Sequence, residues 1–226
     1  MTYSVPFRIR LSRQVMRPIF RGLFHILGGV EIRGVQNVPK KSAYIISFNH
    51  VSIFDPPFAV AFWPVAPEVL GAAEIWGKPG QSTLVRLYGG IQLARTEYDR
   101  EALDISSSVL KSGRPLVISP EGGRSHTPGM RRAKAGIAFL VEKTGVPVVP
   151  VGIVGTTDDY FTRAKRGERP RLEMNIGAPI YLPPLAGSGE ERRISRQRHA
   201  DLVMVQIASL LPPEYHGVYG ESFNKI

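Results

Sequence analysis

Three apolar runs of strand length, AYIISF (43–48), PLVIS (115–119) and VPVVPVGIVG (146–155), constrain the fold of this 226-residue chain more than any other feature. None alternates polar with apolar, so each needs cover on both faces, and the segments between them carry a helical period. REALDISSSVLK (100–111) stops at Gly113, and RRAKAGIAFLVEKTG (131–145) has a glycine past its end. Shorter strand patterns occur at 30–33, 68–73, 91–95 and 171–180, and further helical ones at 56–63, 80–90 and 189–211. The order predicts an α/β fold: a mixed, largely buried central sheet flanked by helices. Two prolines in 146–155 assign that run to an edge or irregular strand.

Ahead of this pattern lies FRIRLSRQVMRPIFRGLFHIL (7–27), with five arginines and no acid. Met16, Phe20, Leu23 and Leu27 recur at helical spacing, widened by Ile19 and Phe24, while Arg10, Arg13, Arg17 and Arg21 follow the same period on another face. This is the pattern of a basic amphipathic helix lying in a lipid headgroup layer, broken in two at Pro18. Arg10, Arg13, Arg17, Phe20, Arg21 and Phe24 are then its membrane-interface residues; the competing reading is a terminal helix packed on the domain with a solvated basic face. The division expected is 1–28 as amphipathic membrane-interface helices and 29–226 as an α/β domain.

A formal net charge of +10 asks for an anionic partner, and the placement of the arginines favours anionic lipid over nucleic acid. No uncharged apolar run approaches the roughly 20 residues that span a bilayer, and no secretory signal pattern is found, so a peripheral position on the cytoplasmic side of a membrane is expected. With no cysteine, the chain has no disulfide framework, no thiolate zinc site and no cysteine nucleophile.

Reactive side chains in such sheets gather just past strand ends. SFNHVSIFDPP (47–57) ends a strand on Asn49 and His50 and returns Asp55 immediately before two prolines. Asp is a preferred helix N-cap, and a turn through residues 51–54 brings its carboxylate to the imidazole. Bonded to one ring nitrogen, that carboxylate orients the ring and raises the basicity of the other nitrogen. Asp55 as a cap alone, with His50 as a loop residue, is the competing possibility. SPEGGRSHTPG (119–129) offers Glu121, the exposed backbone of Gly122 and Gly123, and Arg124 as a fork for an anion; it also reads as a flexible basic loop with Glu121 as the arginine's ion-pair partner. Arg95 ends a further strand and either clamps an anion or pairs with Glu97 or Asp99.

Taken in order, N-H-x-x-x-x-D, G-x-I-x-L-x-R, P-E-G-x-R-S and VPVVPVGI resemble the glycerolipid acyltransferase family, over about residues 30–219 and including the tail LPPEYHGVYG. The similarity is greatest to 1-acylglycerol-3-phosphate acyltransferases, which make phosphatidic acid. The resemblance implies direct acyl transfer from an acyl-CoA or acyl-carrier-protein thioester to the hydroxyl of a lysophospholipid, without metal or other cofactor. It implies His50 as general base and Asp55 as its orienter. Arg95, Glu121, Gly122 and Arg124 would hold the phosphate, supported by Asn49, Gly123 and Ser125, with amides around Gly122 as candidate oxyanion donors. Departures from the family pattern are Ser119 for an aromatic, Gly123 for threonine, and Ala72-Ala73 ahead of Glu74 where many members have a lysine. They leave a different headgroup open. A thioester hydrolase and a catalytically silent lipid-binding protein also fit the sequence.

Overall fold

A computed structural model describes residues 3–93 and 100–220. Seven strands, β1 (Gly29–Arg33), β2 (Ile45–Phe48), β3 (Glu68–Ala72), β4 (Ile91–Leu93), β5 (Leu116–Ile118), β6 (Val148–Val154) and β7 (Arg171–Ile176), form one sheet in the order β1-β7-β6-β2-β5-β3-β4. The five strands from β6 to β4 are parallel, β7 is antiparallel to β6, and β1 lies parallel to β7. The helices are α1 (Phe7–Leu27), α2 (Asp55–Phe62), α3 (Gln81–Tyr88), α4 (Arg100–Lys111), α5 (Gly136–Thr144), α6 (Tyr160–Lys165) and α7 (Gly189–Ala208).

The double apolar character of the strands is used as expected. Successive side chains point to opposite faces, so Ile45 joins a layer with Leu110 of α4, Ile137 of α5 and Met204 of α7. Ile46 joins the other layer, with Phe24 of α1, Phe58 of α2 and Tyr160 of α6. The mixed, helix-flanked sheet is therefore the observed fold.

Two local expectations are corrected. β6 is a central strand, between β7 and β2. Its Pro150 is tolerated there because β7 ends at Ile176 and the chain rejoins β6 only at Ile180; Pro150 faces that gap, where its carbonyl accepts Gly177 N–H and no ladder partner needs its missing N–H. α5 starts at Gly136 rather than near 131. The N–H groups of Arg131, Ala133 and Lys134 go instead to Glu121 (2.7 Å), Tyr219 Oη (2.8 Å) and Pro120 O (2.8 Å).

The amphipathic helix is also oriented differently from the expectation. α1 is continuous through Pro18. The carbonyl that the proline leaves without a donor belongs to Gln14, on the exposed side where water can serve it. Three of the arginines expected at a membrane interface turn toward the protein. Arg13 is buried: its two Nη atoms donate to the Glu68 carboxylate at 2.7 and 2.6 Å, and its Nε to Tyr88 O at 2.8 Å. Arg17 donates to the carbonyls of Val60 (2.8 Å) and Trp63, and Arg21 to that of Ala61 (2.5 Å). The carbonyls of Val60 and Ala61 belong to the last turn of α2, and Trp63 is its C-cap; no intrahelical N–H reaches this end, which is the negative end of the helix dipole. Phe24 is buried edge-on against Phe58 at 5.2 Å, and Phe20 is partly buried beside it. Arg10 alone of the four arginines stays exposed, its guanidinium 5.8 Å from the Phe7 ring.

The exposed side of α1 carries an apolar row. Phe7, Leu11, Val15, Ile19, Leu23 and Ile26, spaced three or four apart, are 45% to 70% exposed. Among the described residues, no helix is long and apolar enough to cross a membrane.

Candidate active site

β2, β5 and β6 are parallel neighbours and deliver Asn49-His50, the 119–131 loop and Gly155-Thr156 to the same end of the sheet. His50 Nδ1 lies 2.7 Å from Asp55 Oδ2. Asp55 is fully buried and the His50 side chain is 17% exposed. The same Oδ2 accepts the N–H groups of Val51 (2.7 Å) and Ser52 (2.9 Å), and Oδ1 accepts the hydroxyl of Thr156. A carboxylate that accepts here places the proton of the His50 contact on Nδ1, and Nε2 then has no hydrogen-bond partner among the described residues.

Asp55 is the first residue of α2, not its cap, which is Phe54. Pro56 and Pro57 have no N–H to offer a side chain at the head of the helix. The carboxylate therefore turns back onto residues 50–52, and the positive end of α2 stabilises its charge there. The edge of the Phe48–His50 ring pair, at 5.8 Å, completes the setting of the imidazole.

Glu121 is buried and ties the two loops together. One carboxylate oxygen accepts His50 N–H and the other Arg131 N–H, both at 2.7 Å. Burial pushes this carboxyl above the usual carboxylate range, against the pull of those two bonds. The expected Glu121–Arg124 ion pair is not what the structure builds: Arg124 Nη1 faces Asp158 at 3.8 Å. The 119–131 loop also zips onto the histidine segment through Ser125 N–H to His50 O (2.8 Å) and His126 N–H to Val51 O (3.3 Å).

The remaining expected residues divide by role. Asn49 forms a reciprocal pair of bonds with the backbone of Ile153 (2.9 and 2.8 Å), fastening β2 to β6. Gly122 has φ +67°, which calls for glycine, and the stem of Lys134 packs so close that a Cβ would lie 2.8 Å from its Cδ. Its N–H donates to Ser119 O at 3.1 Å, which engages one amide proposed for an oxyanion. Ser125 Oγ donates to Thr127 O at 2.5 Å, next to Gly123 and Arg124 in the same loop. Arg95 lies outside the described residues. Thr156, Lys134 and Asp158 were missed by sequence reasoning. The available signal for Thr156 and Asp158 was position alone, since both follow the apolar run 146–155 as His50 follows 43–48.

Fold and site together define a class: an α/β domain that holds a buried carboxylate against a histidine at its strand ends, beside a glycine-rich loop carrying an arginine. A family model described as Acyltransferase matches residues 29–154, and the chain belongs to that family. It is 27% identical to a 1-acyl-sn-glycerol-3-phosphate acyltransferase of Borreliella burgdorferi, over 76% of this chain and 67% of that one. It is 26% identical to one from Pseudomonas aeruginosa, over 70% and 63%. The chain thus spans about two thirds of the length of these two curated relatives. The crystal structure of the 1-acyl-sn-glycerophosphate (LPA) acyltransferase PlsC from Thermotoga maritima aligns with TM-score 0.60 and 25% identity, covering 84% of this chain and 78% of that one.

Proposed function

We propose that this protein transfers an acyl group from a thioester, acyl-CoA or acyl-carrier protein, to the free hydroxyl of 1-acylglycerol 3-phosphate, yielding phosphatidic acid. The observation that carries this reading is the 2.7 Å contact between His50 Nδ1 and a fully buried Asp55. His50 Nε2 removes the proton of the acceptor hydroxyl as its oxygen attacks the thioester carbonyl carbon. Asp55 stabilises the imidazolium that forms. The tetrahedral intermediate collapses, the C–S bond breaks, and the proton passes from His50 to the departing thiolate. Acyl ester and free thiol are the products, and no acyl-enzyme is needed.

Arg124 takes the acceptor phosphate, with Lys134 beside Gly122 as a second cation at the same loop. The exposed apolar face of α1 rests in the membrane surface that holds the lysolipid, with Arg8 and Arg10 at its flank toward anionic headgroups. The side of the membrane is then the one facing the cytoplasmic pool of acyl thioester.

The test is mass spectrometry of lipid products from lysophosphatidic acid and acyl-CoA in vesicles. Phosphatidic acid is expected from the wild type, with a fall of about 10²–10⁴ in rate for His50→Ala. Free fatty acid without phosphatidic acid would identify a thioester hydrolase, and undiminished transfer by His50→Ala would remove the general-base assignment.

A further inference from the structure

Arg124, the side chain proposed for the acceptor's phosphate, faces a carboxylate of its own chain. Asp158, on the loop after β6, places Oδ1 3.8 Å from Arg124 Nη1 and Oδ2 3.1 Å from His126 Nδ1. The side chains of Arg124, Asp158 and His126 are 25%, 48% and 57% exposed, so an incoming anion can reach the contact. The neighbouring Asp159 is engaged by the Thr157 hydroxyl, which leaves Asp158 as the carboxylate of this loop that meets the arginine.

Two further features put this contact in the site rather than on a random surface. His126 has φ +62°, a left-handed conformation that residues other than glycine rarely adopt and that concentrates at functional loops. It is held there by its N–H on Val51 O and its ring on Asp158. The loop that carries Asp158 also carries Thr156, whose hydroxyl is bonded to the Asp55 carboxylate. A side chain two residues from a ligand of the His50–Asp55 pair thus reaches across to the anion arm.

We propose that Asp158 is a specificity-determining residue: in the free protein it is the counter-ion of Arg124 and the hydrogen-bond partner of His126, and an acceptor's phosphate displaces it from the arginine. Phosphate and carboxylate present the same chemistry to a guanidinium, so the two compete for one fork. The competition weakens binding of phosphate-bearing acceptors alone and so moderates the preference for them, since an acceptor without phosphate does not displace Asp158. This inference rests on the acyl-transfer reading of the site.

Kinetics of the full chain carrying Asp158→Asn, an isosteric change at a half-exposed position, test it against lysophosphatidic acid and against monoacylglycerol, which lacks the phosphate. KM for lysophosphatidic acid is expected to fall about two- to fivefold, the range of an exposed ion pair. The change in kcat is expected to be smaller, KM for monoacylglycerol is expected not to move, and inhibition by inorganic phosphate is expected to tighten by the same factor. An unchanged KM and phosphate inhibition overturn the proposal, and so does a rise in KM, which would mean that Asp158 holds Arg124 in place for the substrate. His50→Ala run in parallel separates the two levels: if it still transfers acyl groups, the reading of the site fails; if it does not, while Asp158→Asn leaves KM unmoved, only the specificity role fails.

Discussion

Replacing Asp55 in two ways separates its structural work from its proposed chemical work. Besides His50, the carboxylate satisfies two buried backbone N–H groups, those of Val51 and Ser52, and the hydroxyl of Thr156. Asp55→Ala strands both N–H groups at about 1–3 kcal/mol each, or about 2–6 kcal/mol against a typical total of about 5–15 kcal/mol. Asp55→Asn avoids most of that. Its carbonyl oxygen at the Oδ2 position keeps both N–H bonds, and its amide at the Oδ1 position donates to Thr156 Oγ1, which can accept. What remains is the loss of charge assistance, about 1–2 kcal/mol. The catalytic outcome runs the other way, because the neutral amide no longer stabilises an imidazolium, and a rate loss of about 10²–10⁴ is expected. Urea denaturation followed by the fluorescence of buried Trp63, alongside the product assay, measures both. If Asp55→Asn unfolds as readily as Asp55→Ala, the bonding of the carboxylate is wrong. Retention of more than about a tenth of the wild-type rate would refute its role as orienter.

Glu68 stands between Arg13 and Arg114, so Glu68→Gln leaves two cations short of a buried partner and is expected to cost about 3–5 kcal/mol by denaturant midpoint. Burial pushes the Glu68 carboxyl up, but Arg13, Tyr3 and Arg114 outweigh it and hold it below the usual value; stability from this group is therefore complete above the unfolded carboxyl pKa of about 4.3 and is lost as pH falls through the lower folded value, an acid-sensitive component that Glu68→Gln should lack. On α1, changing Leu11, Val15 and Ile19 together to serine removes about 1 kcal/mol of membrane burial each and should weaken vesicle co-sedimentation about 100-fold with the melting temperature unmoved, whereas unchanged sedimentation would place the membrane contact elsewhere.

The sheet and its helices were legible in the sequence because strands buried on both faces admit few arrangements, and 43–48 and 115–119 are apolar but for Ser47 and Ser119. His50 and Asp55 were legible because the strand end, the turn and the two prolines lie within eleven residues. Thr156 was not, being about a hundred positions from the carboxylate it serves, with only strand order to bring it there. The same limit applied to α1. Its two faces were evident from periodicity, but which one the domain covers depends on the bare carbonyls at the end of α2, and those draw Arg17 and Arg21 inward. The start of α5 was misplaced for a related reason: the amides of Arg131, Ala133 and Lys134 serve Glu121, Tyr219 and Pro120 in preference to a helix.

α2 is also a ruler. Its first residue is Asp55, and the carbonyls at its other end hold Arg17 and Arg21 of α1, so the carboxylate proposed to orient His50 and this anchor of the helix proposed to lie on the bilayer sit at opposite ends of one helix of eight residues, about 12 Å long. If α1 lies on the bilayer as proposed, the length of α2 helps to set the distance from the imidazole to the lipid. One residue added to α2 would raise Asp55 by about 1.5 Å and swing it through about 100° relative to that seat. The length of α2 is thereby constrained from both of its ends.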